Sequence, residues 1–454
     1  MKEKTLMTSG SIGRKMLYFS IPLILGNLFQ QLYNLVDSVV VGQFVGDNAL
    51  AAVGAGGSII QLLIGFIIGA SAGAGVVTSQ YYGAQDHEGV RKAVHTTLAI
   101  SIVCGIIVSV MGVLATPWIL HAMGTPEEVF REAEVYLKVF FAGHFFAVIY
   151  NLMAGILNAV GNSKRSLIYL IIAAVSNMIL DILFVAVFDW GVIGAALATD
   201  LSQAISCVFI LHYMHRSRES YQIRFREIRF YDHLLSRIIR IGIPTGIQNI
   251  VVSFSNVFVQ TAVNSFGATV MAAYAAFNKI DGFILLPILS LNMAATTFAG
   301  QNYGAQKYDR IHRGLKISIW MGVIYSVAAG AVMLVLSPYL VRIFTDSQDV
   351  IDASIYMMYL MYPFYWILGI FHIALGTIRG VGKTFAAMVM SLVSLCAVRI
   401  LWISVTMEIN HSLALLVLNY PFTWLVGAMI IAVYIKKANW LDVPKIEREG
   451  DKQW

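Results

Sequence analysis

The sequence predicts an all-helical integral membrane fold, with twelve transmembrane helices arranged as two pseudo-symmetric six-helix bundles. Three observations predict it. The 454-residue chain is 58% hydrophobic and only 12% charged, against roughly 25% charged residues in a soluble domain. Apolar stretches of about 20 residues, long enough to cross a roughly 30 Å hydrocarbon core, recur along its whole length. The second half repeats the first at a shift of about 221 residues.

In lipid an unpaired backbone must bond to itself, so a spanning segment is a helix or a closed barrel strand. The apolar runs here are too long and too uniform for barrel strands, which alternate every second residue. Twelve spans are expected near 15–42, 50–80, 92–115, 131–158, 165–187, 191–212, 239–265, 270–300, 314–336, 352–378, 384–406 and 411–435. The first long apolar stretch, from Ile21, runs on into a spanning helix without a small-residue cleavage site, so no cleavable signal peptide is expected. Cys104, Cys207 and Cys396 each sit inside an apolar run, as small packing residues, and neither a disulfide framework nor a metal spacing is present.

Basic residues test the count. With twelve spans both termini share one side. If that side is cytoplasmic, all but five of the 31 Lys and Arg fall on it. Arg131, Lys138 and Arg342 are external, and Lys279 and Arg399 lie within spans. A miscounted span would invert the parity and scramble this asymmetry. The expected location is therefore the cell membrane, multi-pass, with both termini cytoplasmic. The net charge of +6 faces anionic inner-leaflet lipid and not nucleic acid.

The repeat aligns Ile21-Pro22 with Ile243-Pro244, Asn27 with Asn249, and Asn34 with Asn256. SQYYGAQD at 79–86 aligns with GQNYGAQK at 300–307, and GILNAVGN at 155–162 with GTIRGVGK at 376–383. Six spans per half is an even number, so the halves share one orientation about an axis along the membrane normal. The expected units are an N-terminal lobe at 1–212, a cytoplasmic linker at 213–238, a C-terminal lobe at 239–436 and a tail at 437–454. Two such bundles around a cleft are typical of secondary transporters. The basic, amphipathic linker reads as a solvated connector on the membrane surface.

Polar groups at membrane depth cost several kcal/mol unless they face a cavity or a partner. In span 1, Asn27, Gln30, Asn34 and Asp37 are spaced 3, 4 and 3 apart and share one face, with Tyr33 one turn before Asp37. In span 5, Asn177 and Asp181 are neighbours at i, i+4. Span 4 ends with Asn158, and span 6 adds Thr199 and Asp200, the latter either solvated near a helix end or part of the cluster. Span 7 repeats the stripe as Asn249, Ser253, Asn256 and Gln260, without a carboxylate. Lys279 and Asp281 in span 8 form either an internal ion pair or a substrate contact. In span 10, YMMYLMYPFYW at 356–366 is either an adaptable ligand surface or an aromatic belt. No Walker GxxxxGK[ST] occurs, so ATP is not expected as the direct energy source.

The segments IPLILGNLFQQLYNLVDSVVVGQFVG, the YGAQ repeat, NMILDILF and GVIGAALAT resemble the multidrug and toxic compound extrusion (MATE) family of the MOP superfamily, nearest its MepA-like and DinF-like bacterial branches. The likeness covers residues 10–436. It implies alternating access between two lobes and export of organic cations or amphipathic compounds in exchange for H⁺ or Na⁺, with no cofactor beyond that ion gradient. It implies a coupling-ion site at Asp37, Asn177, Asp181, Asn158, Tyr33 and Thr199, with Na⁺ as a candidate ligand of Asp37, Asn177 and Asp181. Some members also carry acids in spans 7 and 10, where this chain has Val252 and no mid-span acid. By repeat symmetry, Gln30, Asn34, Asn256 and Gln260 should line the cleft, with Tyr274, Asp281, Met293, Tyr362 and Tyr365 as further walls. The expected partners are a small-molecule substrate and membrane lipid, and the expected state is a monomer. The alternatives are a flippase of lipid-linked sugars from the same superfamily and, more distantly, an intramembrane enzyme. The second finds no HExxH motif here, and the GxSxG match at 69–73 lies inside apolar span 2 and not at a strand-to-helix turn.

Overall fold

The structure, a computed structural model, describes residues 6–441. Lys2, Lys4, Lys445, Arg448 and Lys452, counted above as cytoplasmic, lie outside the described residues, as does most of the 437–454 tail. Twelve rods follow one another: α1 (Ile12–Phe44), α2 (Asp47–Gly83), α3 (His87–Ala122), α4 (Glu127–Ala159), α5 (Ser163–Val187), α6 (Gly191–Arg216), α7 (Asp232–Asn264), α8 (Ala268–Gly304), α9 (Tyr308–Arg342), α10 (Gln348–Gly380), α11 (Thr384–Ile409) and α12 (Leu413–Lys437). Among the described residues there is no strand. All the rods but α1 are long and apolar enough to cross a membrane on length and composition. The polar stripe of α1 dilutes its apolar character.

The motifs that reveal the repeat turn out to be helix stops. After α2 and after α8 the chain leaves through Gln85 (φ 57°) and Gln306 (φ 58°), both left-handed. Asp86 N–H then donates to Tyr81 C=O at 3.1 Å and Lys307 N–H to Asn302 C=O at 2.8 Å, the six-to-one bond of a Schellman end. After α4 and α10 the left-handed residues are Gly161 (φ 82°) and Gly382 (φ 90°), where glycine carries no Cβ penalty. Asn162 N–H donates to Leu157 C=O at 2.8 Å and Lys383 N–H to Ile378 C=O at 3.2 Å. Each six-helix half thus stops its helices with the same chemistry. Pro363 marks a single 3-10 turn (Tyr362–Phe364) within α10, where a proline cannot donate to the helical ladder. Met357, Met358 and Met361 point into the bundle there, while Tyr356 and Tyr359 are exposed, which assigns the two faces of that aromatic segment.

The connector is shorter than 213–238, because α6 runs to Arg216 and α7 begins at Asp232. It is also docked rather than merely solvated. Ile223 and Tyr221 are buried against the N-terminal bundle, Arg224 N–H donates to His95 Nε2 at 2.9 Å, and Arg91 pairs with Glu227 at 3.3 Å. Burial, with the neighbouring Tyr213 hydroxyl, holds the Tyr221 phenol above its ordinary pKa.

The bundles touch unequally along their length. On the face that carries both chain ends, α2 crosses α7 backbone to backbone: a Cβ on Gly69 would lie 2.4 Å from Gly246 Cα, and one on Gly73 2.7 Å from Gly242 Cα. Nearer that face, Gln80 Nε2 donates to Gly380 C=O at 3.0 Å and its repeat partner Gln301 Nε2 to Ala159 C=O at 2.8 Å. The segment before α1 straps the seam, with Met7 N–H donating to Gln301 Oε1 at 2.8 Å and Arg310 Nη2 donating to the carbonyls of Met7, Ser9 and Gly10. Toward the other face this contact ends. Cβ atoms on Gly54 and Gly57 of α2, or Gly282 of α8, would meet nothing within 4 Å. The lobe-to-lobe side-chain hydrogen bonds run from the terminal face up to mid-height, where Asn27 meets Ser290 and Asn249 meets Gly65. The molecule is closed at the terminal face and splayed at the opposite one.

Candidate functional site

Within the N-terminal bundle, α1, α4, α5 and α6 bring one polar cluster together. Asn177 and Asp181 on α5 and Thr199 on α6 are buried. With its amide oriented to satisfy both neighbours, Asn177 Nδ2 donates to Asp181 Oδ2 at 2.7 Å and its oxygen accepts from Thr199 N–H at 3.3 Å. Tyr33 on α1 engages the Thr199 side chain and lies close to Asp37, Asp181 and Asp200. Asp37 and Asp181 are within electrostatic reach of each other. Asp181 ends the regular part of α5, and the next six residues, Ile182–Val187, form a π turn. Such single turns release a backbone ladder bond and frequently mark functional sites.

Asp37 Oδ1 and Asp181 Oδ1 are buried and accept nothing from the protein among the described residues. Two carboxylates in one buried cluster repel one another and want either a proton or a cation. The donor set is all oxygen apart from the Asn177 amide nitrogen, which suits a hard monovalent ion.

Asp37, Tyr33, Asn177, Asp181 and Thr199 are thus gathered, whereas Asn158 is not. It occupies the terminal end of α4, 22 residues or about 33 Å along the helix from Tyr136, the α4 residue that does lie among Tyr33, Asp37, Asp181 and Asp200. The family resemblance selected the amide, while a tyrosine in a span is indistinguishable by sequence from a packing or interface aromatic. Asp200 is buried and not solvated. Its carboxyl rests on Gly143 of α4, where a Cβ would lie 2.1 Å from Asp200 Cγ. Gly143→Ala should therefore push α4 from α6 and cost about 1–3 kcal/mol. That is expected to lower the melting temperature of the detergent-solubilised protein, and an unchanged melting temperature would refute the tight fit.

The cleft residues separate into two groups. Gln30, Asn34, Asn256, Gln260 and Met293 are exposed, and Gln30 with Tyr33 lines a small cavity between α1, α5 and α6 that also reaches Ser202 and Gln203. Gln260 Nε2 donates to Asn264 Oδ1 at 2.8 Å on its own helix. Tyr274, Tyr362 and Tyr365 are buried inside the C-terminal bundle, the last two among its fully packed rings. Tyr365 donates to Asp281. Lys279 and Asp281 make no ion pair, since residues two apart on a helix face different directions; Lys279 sits over the Phe344 ring at 5.7 Å.

Two lobes of six helices around a cleft closed at one end, with a buried pair of carboxylates in one lobe, are the architecture of a membrane transporter. The MatE family pattern matches the chain twice, over residues 22–183 and 244–404, once in each lobe, and the chain belongs to this family. It is 29% identical over 436 residues to the probable multidrug resistance protein YoeA of Bacillus subtilis (strain 168), covering 93% of each chain. It is 23% identical over 380 residues to the multidrug export protein MepA of Staphylococcus aureus (strain MW2), covering 84% of each. In fold it matches a MOP superfamily transporter from Pyrococcus furiosus and an outward-facing structure of a multidrug resistance MATE family transporter, each with a TM-score of 0.89 at 22% identity over 96% of this chain and 97% of the other.

Proposed function

We propose that the protein is a secondary active exporter that exchanges an inward-moving H⁺ or Na⁺ for an outward-moving organic cation or amphipathic compound. The observation that carries this is the pair of buried, unsatisfied carboxylate oxygens on Asp37 and Asp181, placed in one lobe beside a cleft open at a single face. Basic residues crowd the terminal face, at Arg14 and Lys15, Arg91 and Lys92, Lys164 and Arg165, Lys307 to Lys316 and Lys436 to Lys437. By the positive-inside rule that face is cytoplasmic, so the splayed side opens outward. A cation entering from outside would neutralise the pair, and a drug arriving from inside would find the cleft after the terminal face has opened.

The names of the B. subtilis and S. aureus relatives support the substrate class. The direct test is efflux of ethidium from proteoliposomes under an imposed gradient. Acceleration by a pH gradient at zero Na⁺ identifies H⁺, and acceleration by a Na⁺ gradient at fixed pH identifies Na⁺. A flux indifferent to both gradients would sink the antiport reading.

A further inference from the structure

The C-terminal lobe holds the opposite charge at the corresponding place. Arg399 on α11 is buried, 3% exposed. Its Nη1 donates to Asn256 Oδ1 on α7 at 2.9 Å, and its guanidinium lies over the Tyr420 ring of α12 at 4.8 Å. Tyr420 in turn exchanges a hydrogen bond with Tyr274 of α8 at 2.6 Å. Nε finds no acceptor among the described residues, and no carboxylate there pairs with it. A buried arginine without a counter-charge is costly to keep, because desolvation removes more than one neutral hydrogen bond returns. Guanidinium is also the side chain whose planar fork matches a carboxylate.

Its placement is not that of a packing residue. The π turn of α11, Val393–Val398, abuts Arg399 as the π turn of α5 abuts Asp181. Asn256, which Arg399 holds, is the repeat partner of Asn34 and is exposed. Counted from the splayed ends of their helices, Arg399, Asn256, Tyr274 and Tyr420 lie six to ten residues deep, and Asp37, Asp181 and Thr199 lie six to eight. At 1.5 Å per residue both centres sit about 9–15 Å below the open rim, one in each lobe.

We infer that Arg399, presented through Asn256, is a recognition point for an anionic group, so that the preferred substrates are zwitterions with a cationic and a carboxylate end. This rests on the exporter reading and adds to it a substrate class. The cationic end meets the acidic lobe, and the carboxylate enters beside the exposed Asn256 and reaches the guanidinium once Asn256 swings aside, since Nε itself is enclosed in the state described.

Rhodamine B and its ethyl ester test this, because they share one cationic ring system and differ only in a free carboxylate. Binding to the purified, full-length protein is read by fluorescence anisotropy. The wild type should favour rhodamine B over the ester, and Arg399→Gln should lower that ratio about tenfold, the scale of one charge-assisted hydrogen bond. Arg399→Lys keeps the charge but loses the fork, and should retain part of the preference. It also serves as the folded reference should the glutamine variant lose stability. A wild type that does not favour rhodamine B, or a ratio that Arg399→Gln leaves unchanged, overturns the inference. The exporter reading fails separately, if rhodamine B binds with the expected preference and neither dye moves under an ion gradient.

Discussion

Asp181→Asn and Asp37→Asn are each expected to abolish gradient-driven efflux while leaving the protein abundant and folded. The argument is one of charge. A carboxylate with a buried, unpartnered oxygen has a strong preference for a proton or metal ion, and that preference changes when the lobe is exposed to the other face. An ion can bias a two-state protein only by binding its two states unequally. An asparagine is close in volume, and at position 181 its oxygen can still accept from Asn177, but it neither takes up nor releases charge. The variant should then rest in whichever state the neutral cluster favours, and turnover should stop. Thermal melting separates the two ions. If Na⁺ at fixed pH raises the melting temperature of the wild type and not of Asp37→Asn, ligand binding to the folded state is being read directly. Full efflux by either variant would remove the cluster from the coupling mechanism.

The sequence disclosed those parts of the molecule whose physics is local. Twelve helices in two like halves follow from apolar length and the internal repeat, neither of which needs a neighbour; that the YGAQ motifs and the Gly161 and Gly382 turns are helix stops emerged only from the backbone. Asp37, Asn177 and Asp181 were legible because a carboxylate in lipid is costly, and an i, i+4 amide beside one is a ready partner. The remaining features needed contacts between elements. Tyr136 belongs to the N-terminal cluster only because α4 packs along α6, which carries Thr199 and Asp200 to that height. Asn158 looked equivalent by type but lies at the wrong end of the same rod. The bond between Arg399 and Asn256 joins α11 to α7, 143 residues apart in sequence, and no spacing announces it. The pairing of Lys279 with Asp281 was open to refusal from the sequence, since a two-residue step on a helix points the side chains apart.

The closed terminal face yields the second large effect. Gly83 and Gly304 are repeat partners, and each presses on the other lobe's backbone. A Cβ on Gly83 would lie 1.8 Å from Gln301 O, and one on Gly304 1.8 Å from Gln80 O. Neither obstacle is the end of a flexible side chain, so the lobes themselves must part. Overpacking of this kind costs about 1–3 kcal/mol per site, or about 2–6 kcal/mol for both. Moving an equilibrium from 99:1 to 1:99 takes about 5.5 kcal/mol. Gly83→Val combined with Gly304→Val is therefore expected to convert the population largely to a state open at the terminal face, and either substitution alone to convert it partly. Spin labels at Lys164 and Phe385, exposed repeat partners near that face on the two lobes, report the change in a variant whose three cysteines have been replaced. Their separation should lengthen in the double variant, and efflux should fall with it. Gly54→Val and Gly57→Val serve as the control, because a Cβ at either position meets nothing and the label separation should stay that of the parent. If the double variant keeps the parent's distance distribution, the glycine contacts are not what holds the terminal face shut, and the work of closure falls to the reciprocal bonds of Gln80 and Gln301.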